Sequence, residues 1–159
     1  MNTEITYKPI GIINSAWKKI DDMPIQSVDA QNTSGYIKLF PEYAKGLTDL
    51  NGFSHIMLLY HFHLVKGHSL MVTPFMDTKS HGIFSTRAPK RPNSIGISIV
   101  ELLKIEGNTI HFSSCDILDE TPLLDIKPFF EDFDNRINTQ KGWLGNRPVK
   151  KTLSDKRFK

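Results

Sequence analysis

One hairpin at the centre of the chain does most to fix what it can fold into. Residues 97–105 and 109–117 are strand-forming runs, and Glu106, Gly107 and Asn108 stand between them as a glycine-containing turn. Further runs of strand type cover residues 5–13, 36–40, 53–64, 70–75, 81–84 and 123–127. Helix is confined to 41–50 and to one helical turn at 129–133. Pro41 suits a first helical turn, and Glu42 lies near the positive end of its dipole. Residues 21–35 are polar and irregular and read as a long loop. About eight short strands with little helix predict a mainly β, closed or nearly closed structure. Periodicity alone leaves barrel and sandwich open. Residues 53–64 are apolar at nearly every position until their end, which calls for burial on both faces or for a barrel strand covered by a partner subunit.

At 159 residues the chain reads as one domain, large enough to fold without disulfides or metal. Its single cysteine, Cys115, excludes an internal disulfide framework and a cysteine-based zinc site. No apolar run approaches the roughly 20 residues of a membrane span. The N-terminus has neither a basic nor an apolar leader region, so the expected location is the cytoplasm. Charge is unevenly spread. Residues 136–159 hold eight basic side chains and one acid; their +7, against a total of +3, leaves −4 on residues 1–135. The chain therefore divides into a body, 1–135, and a basic C-terminal tail, 136–159. The tail is either a solvated segment or a polyanion contact.

Four constellations carry candidate chemistry. In residues 87–96, Arg87, Lys90 and Arg91 lie on a loop stiffened by Pro89 and Pro92. Guanidinium forks suit carboxylate or phosphate, and the alternative is a loop of solvated charges. In Asp116-Ile117-Leu118-Asp119-Glu120-Thr121-Pro122, carboxylates and unpaired backbone groups follow a strand. The segment is either a ligand edge or an Asp-stabilised turn. His61 and His63, two apart, point to one face of a strand and raise a metal site, but no Cys or Glu completes a zinc motif. Hydrogen-bonded histidines are the simpler reading, and no metal is assigned. Cys115 sits in a strand with no marked activating base, and there is no nucleophile elbow, dinucleotide fingerprint or P-loop.

At the arginine loop the sequence becomes familiar. Residues 46–55, Gly82-Ile83-Phe84-Ser85-Thr86-Arg87, Arg91-Pro92-Asn93-Ser94-Ile95-Gly96 with 97–102, and 116–128, in that order, resemble the TsaA-like family of tRNA N6-methyltransferases over residues 5–135. The resemblance implies a small single-sheet β-barrel of about seven or eight strands with one or two short helices. It implies a homodimer with an S-adenosylmethionine site near the dimer interface. It implies methylation of N6 of threonylcarbamoyladenosine beside the tRNA anticodon. Carried onto this chain, the family's cofactor residues are Pro24, Ile25 and Gln26, then His63 with Leu64, Arg87, Ile97, and the turn Ile117, Leu118, Asp119, Glu120 and Thr121. Three positions depart from the family pattern: Ile25 replaces an arginine, Ser94 a proline and Glu120 a glycine.

The implied reaction needs nitrogen, methyl carbon and sulfur in line and an acceptor for the N6 proton. Asp116 and Asp119 are the candidate catalytic carboxylates. Arg87 is the candidate for a carboxylate of the cofactor or substrate, and Lys90 and Arg91, with the tail, are candidates for tRNA. A second reading, from a different class, is a non-catalytic cofactor-binding or interaction module. The Ile25 and Glu120 departures point to it, whereas Arg87, Asp116, Asp119 and the tail point to the enzyme.

Overall fold

Eight strands follow one another in the computed structural model, which describes residues 3–24, 30 and 32–145. They are β1 (Gly11–Ser15), β2 (Ser34–Leu39), β3 (His55–His61), β4 (Met71–Val72), β5 (His81–Gly82), β6 (Ile95–Glu106), β7 (Thr109–Ser113) and β8 (Thr121–Pro128). Six of them close a barrel in the order β1-β2-β7-β6-β3-β8, every pair antiparallel. β4 and β5 form a separate ribbon. The small β-barrel is as expected, but six rather than seven or eight strands make its wall.

Alternation builds the interior. Ile37 and Leu39 of β2, Ile56, Leu58 and Tyr60 of β3, and Ile110 and Phe112 of β7 point inward and are buried. Each such aliphatic or aromatic side chain contributes about 1.5–3 kcal/mol relative to exposure. On β8, Leu123 and Ile126 both pack on the core although an odd step separates them. A register shift between Leu59 and Tyr60 reconciles this: Leu59 faces Asp125 and Tyr60 faces Leu123, so Leu124 is the extra residue of a bulge. Gly96 faces Tyr60 across the ladder, and a Cβ there would lie 2.3 Å from Tyr60 Cε2. The ring occupies the space that a side chain would need.

The hairpin β6–β7 forms around a two-residue turn, Gly107-Asn108, with Glu106 already paired to Thr109. Gly107 takes φ +62°, the conformation for which glycine is suited. The expected strand is assigned only from Gly11, although Ile10 N already donates to Leu123 O and Ile10 O accepts from Phe40 N, both at 2.8 Å; Ile5 and Tyr7 are exposed. The helix expected at 41–50 is a 3-10 segment, Pro41–Leu47, with Pro41 at its start. Gly46 within it and the short length disfavour a full α-helix. The helical turn near 129–133 appears as α1 (Glu131–Asp134). β3 alternates instead of burying both faces: Ile56, Leu58 and Tyr60 point inward, while Met57 and Leu59 are half-buried on the outer wall.

The ladder registers put one barrel end at Ser15, Ser34, His61, Ile95, Ser113 and Thr121. Three long connections leave from this end: 16–33, 62–94 and 114–120. They carry both the arginine loop and the acidic turn. Residues of the expected tail also reach this side. Trp143 stacks on His81 with ring centroids 4.3 Å apart, and its Nε1 donates to Ser85 O at 2.8 Å. Residues 146–159, which hold most of the tail's charge, lie outside the described residues.

Candidate functional site

The acidic turn is fastened to the end of β1. Ser15 N donates to Asp119 Oδ1 (2.8 Å), Ser15 Oγ to Ile117 O (2.7 Å), Trp17 Nε1 to Cys115 O (2.6 Å), and Asp119 N to Trp17 O (2.9 Å). Lys18 pairs with Asp119 Oδ2. Both Asp119 oxygens are thus engaged by the protein. Burial alone would raise the Asp119 carboxyl, but the hydrogen bonds from Lys18 and the Ser15 amide outweigh it and hold the group below its ordinary value. Two residues in the left-handed region bracket the turn, Ser114 (φ +61°) and Glu120 (φ +62°). Glu120 therefore occupies the conformation that the glycine of the family pattern serves.

Asp116 has a different setting. Ser98 Oγ donates to Asp116 Oδ1 at 2.7 Å and lies 3.0 Å from Tyr60 Oη. Since Ser98 gives its one proton to the carboxylate, the phenol donates to Ser98. Burial, then the negative charge of Asp116, push the Tyr60 hydroxyl far above its usual range, and the Arg87 charge opposes them. Arg87 itself is exposed and makes no hydrogen bond or ion pair among the described residues.

His63 follows β3, and its Nδ1 lies 3.4 Å from Thr121 Oγ1. Thr121 donates its own proton to Leu118 O at 2.7 Å, so Nδ1 of a neutral His63 is the donor and Nε2 carries the lone pair. Burial, then the neighbouring His61, lower the imidazole's affinity for protons, and Glu120 partly restores it. His63 is therefore neutral at pH 7. Among the described residues no three His, Cys, Asp or Glu side chains gather as metal ligands. Burial pushes the Cys115 thiol up to about 12, so it is no nucleophile at neutral pH.

The other expected positions divide. Pro24 is buried; Ile25 and Gln26 lie outside the described residues. Ile117 and Thr121 are buried, and Leu118 half-buried, in the turn. Leu64 is exposed. Ile97 is 49% exposed on the outer wall opposite Leu59, in a stripe with Ile95 and Ile99. Arg91 turns back on its own loop: its Nη1 donates to Thr86 O (2.9 Å), Ile83 O (3.2 Å) and Ala88 O (3.4 Å). Lys90 is half-buried, and its carbonyl accepts from Ser69 N at 3.1 Å. Two surface grooves, one lined by Asn14, Tyr36 and His111 and the other by Ile12, Pro41 and Asn108, include none of Arg87, Ser98 and Asp116. The hydrogen-bonded chain Tyr60–Ser98–Asp116 locates the site better than those grooves do.

Sequence reading missed Tyr60, Ser98, Ser15 and Trp17. A signal existed for Ser98: it is the one hydroxyl among the inward positions of Ile95-Gly96-Ile97-Ser98-Ile99-Val100.

Comparison with known proteins gives this barrel end a context. Residues 12–135 match the model of the tRNA-methyltransferase O N-terminal domain. The chain belongs to that family. A probable S-adenosyl-L-methionine-binding protein of Pyrococcus abyssi is 49% identical over 97% of this chain and 85% of its own length. The tRNA (adenine(37)-N6)-methyltransferase of Mus musculus is 34% identical over 82% of this chain but only 32% of its own. The crystal structure of the family's TrmO from Pseudomonas aeruginosa superposes with a TM-score of 0.75 at 32% identity, covering 89% of this chain and 63% of that one. The chain thus spans less than two thirds of these methyltransferases. Among the described residues, no helix is long and apolar enough to cross a membrane.

Proposed function

We propose that this chain is a cytoplasmic S-adenosylmethionine-dependent methyltransferase acting on N6 of threonylcarbamoyladenosine near the tRNA anticodon. Family membership supports the class. The observation that carries the reading is the hydrogen-bonded chain Tyr60–Ser98–Asp116, which sets a carboxylate of the acidic turn at the barrel end from which the connection bearing the exposed Arg87 also leaves.

The residues present fit the cofactor. An exposed guanidinium with no hydrogen-bond or ion-pair partner among the described residues suits the methionine carboxylate, and the acidic turn suits the positive sulfur and polar hydroxyls. Arg87 would hold the carboxylate. By the family pattern Pro24, Ile25, Gln26, His63, Leu64, Ile97 and the turn from Ile117 to Thr121 would complete the pocket. When bound, S-adenosylmethionine supplies an activated methyl group on a sulfonium.

The protein's own work is positioning and proton transfer. Asp116 accepts the N6 proton, and its hydrogen bond from Ser98 fixes its direction. Asp119, clamped by Lys18 and Ser15 N, acts on the turn's shape rather than on the proton. Arg91 fixes the loop that presents Arg87 and Lys90. Lys90 and the basic tail supply cations for tRNA phosphates. A homodimer is part of the proposal: Ile95, Ile97 and Ile99 beside Met57 and Leu59 form an apolar outer stripe that suits a second copy.

The alternative, a non-catalytic cofactor-binding or interaction module, draws on Ile25 at the position of a family arginine and on the Pyrococcus relative, a probable S-adenosyl-L-methionine-binding protein. Calorimetry with S-adenosylmethionine, followed by transfer of labelled methyl to tRNA, separates the two. Binding with transfer is expected. Binding without transfer leaves the cofactor-binding module, and absence of binding removes the enzyme reading and leaves the interaction module.

A further inference from the structure

We propose that Phe84 is a base-stacking residue for the RNA substrate, presented beside Arg87 on a turn that the fold has locked. The inference rests on the RNA-substrate reading above.

Phe84 is 75% exposed, and it is a large aromatic side chain three residues before the exposed Arg87. An aromatic ring with that much contact with water stands at a cost unless something covers it. Its neighbours argue for what that is. The Arg91 guanidinium lies 5.9 Å from the ring centroid, and Arg87 and Lys90 follow on the same loop. An aromatic face among cations matches a nucleobase on a phosphate chain, which offers a π-surface and negative charge together. The exposed stripe on the outer barrel wall, Ile95, Ile97 and Ile99, is aliphatic and suits protein instead.

The turn is rigid. Ile83, the residue before Phe84, is buried with Val72 and Ala88, and its amide donates to Leu70 O at 2.9 Å. Its carbonyl accepts from Thr86 N, Thr86 Oγ1 and Arg91 Nη1. Ser85 Oγ donates to Gly82 O at 2.8 Å, while Ser85 O receives the Trp143 indole. The ring is therefore offered by a backbone with little left to order, which keeps the entropic cost of stacking low.

The test uses the full chain, a fluorescently labelled anticodon stem-loop RNA, and the variants Phe84→Ala and Phe84→Trp. Phe84→Ala is expected to weaken RNA binding about tenfold or more, with an unchanged salt slope, because the lost contact carries no charge. Phe84→Trp is expected to retain binding. Calorimetric affinity for S-adenosylmethionine and the sedimentation coefficient stay at the wild-type values. Wild-type RNA affinity in Phe84→Ala overturns the proposal and leaves the methyltransferase reading standing. A loss of cofactor affinity, or conversion to a smaller species, also overturns it, by assigning the ring to the cofactor pocket or to a subunit contact. No RNA binding by the wild-type chain overturns both readings.

Discussion

Tyr60 and Asp116 meet on one hydroxyl: Ser98 Oγ lies 3.0 Å from the phenol oxygen and 2.7 Å from the carboxylate. Ser98 is buried in the barrel wall, so this link joins the core to the acidic turn. Ser98→Ala leaves a buried phenol without its acceptor and removes one hydrogen bond from Asp116. The expected result is a loss of about 1–3 kcal/mol in stability by denaturant unfolding. Asp116→Asn keeps the shape but removes the proton acceptor. Methyl transfer is expected to fall about 10²–10⁴-fold while calorimetric affinity for the cofactor stays close to wild type.

Arg87 tests the other half of the site. Because its side chain is exposed and has no hydrogen-bond or ion-pair partner among the described residues, Arg87→Ala should leave the unfolding midpoint unchanged. Loss of a charge-assisted contact of about 1.5–3 kcal/mol should weaken S-adenosylmethionine binding by roughly ten- to a hundredfold. Arg87→Lys, which lacks the planar fork, should recover only part of this.

Asp119 gives the acid limb of stability. Its carboxyl is depressed below the ordinary 3.8 by Lys18 and the Ser15 amide, against the opposing effect of burial. A depressed carboxyl contributes stability that is fully present above the ordinary value and is lost as pH falls through the folded value. Unfolding measured from pH 7 to pH 2 should therefore show a weaker acid dependence in Asp119→Asn than in the wild type. The variant should be less stable at pH 7 and should converge with the wild type at the acid end.

Glu120 sits at φ +62° and is exposed. Relief of left-handed strain competes with the added entropy of glycine in the unfolded chain. Glu120→Gly should raise stability by about 0.5–1 kcal/mol, and Glu120→Val should lower it, because β-branching is least compatible with that conformation. Thermal unfolding of the two variants checks the sign.

The hairpin within residues 97–117 was legible because strand period and turn chemistry are local, and the barrel was implied only by the family resemblance. Its closure by six strands was not legible, since that depends on which edges pair across long connections. Continuous apolar character left β3 either buried on both faces or covered by a partner subunit; Met57 and Leu59 stand half-buried on the outer wall, which removes the first alternative. The arginine loop and the acidic turn were found from residue types and family pattern. The Ser98 link between Tyr60 and Asp116 was not, because the strand pattern marks Ser98 as an inward hydroxyl but does not say which partners it will find. Equally hidden was the inward turn of Arg91 onto Thr86 and Ile83, since charge alone does not reveal which carbonyls a guanidinium will find.

The central claim is that this barrel end transfers a methyl group to a hypermodified adenosine of tRNA. It is tested most directly by nucleoside mass spectrometry of tRNA carrying threonylcarbamoyladenosine, after incubation with S-adenosylmethionine and either wild-type protein or Asp116→Asn. The account predicts that the wild type adds the mass of one methyl group to threonylcarbamoyladenosine and that the variant adds little. An unmodified nucleoside after incubation with a wild-type protein that binds the cofactor, or equal methylation by both proteins, would contradict it.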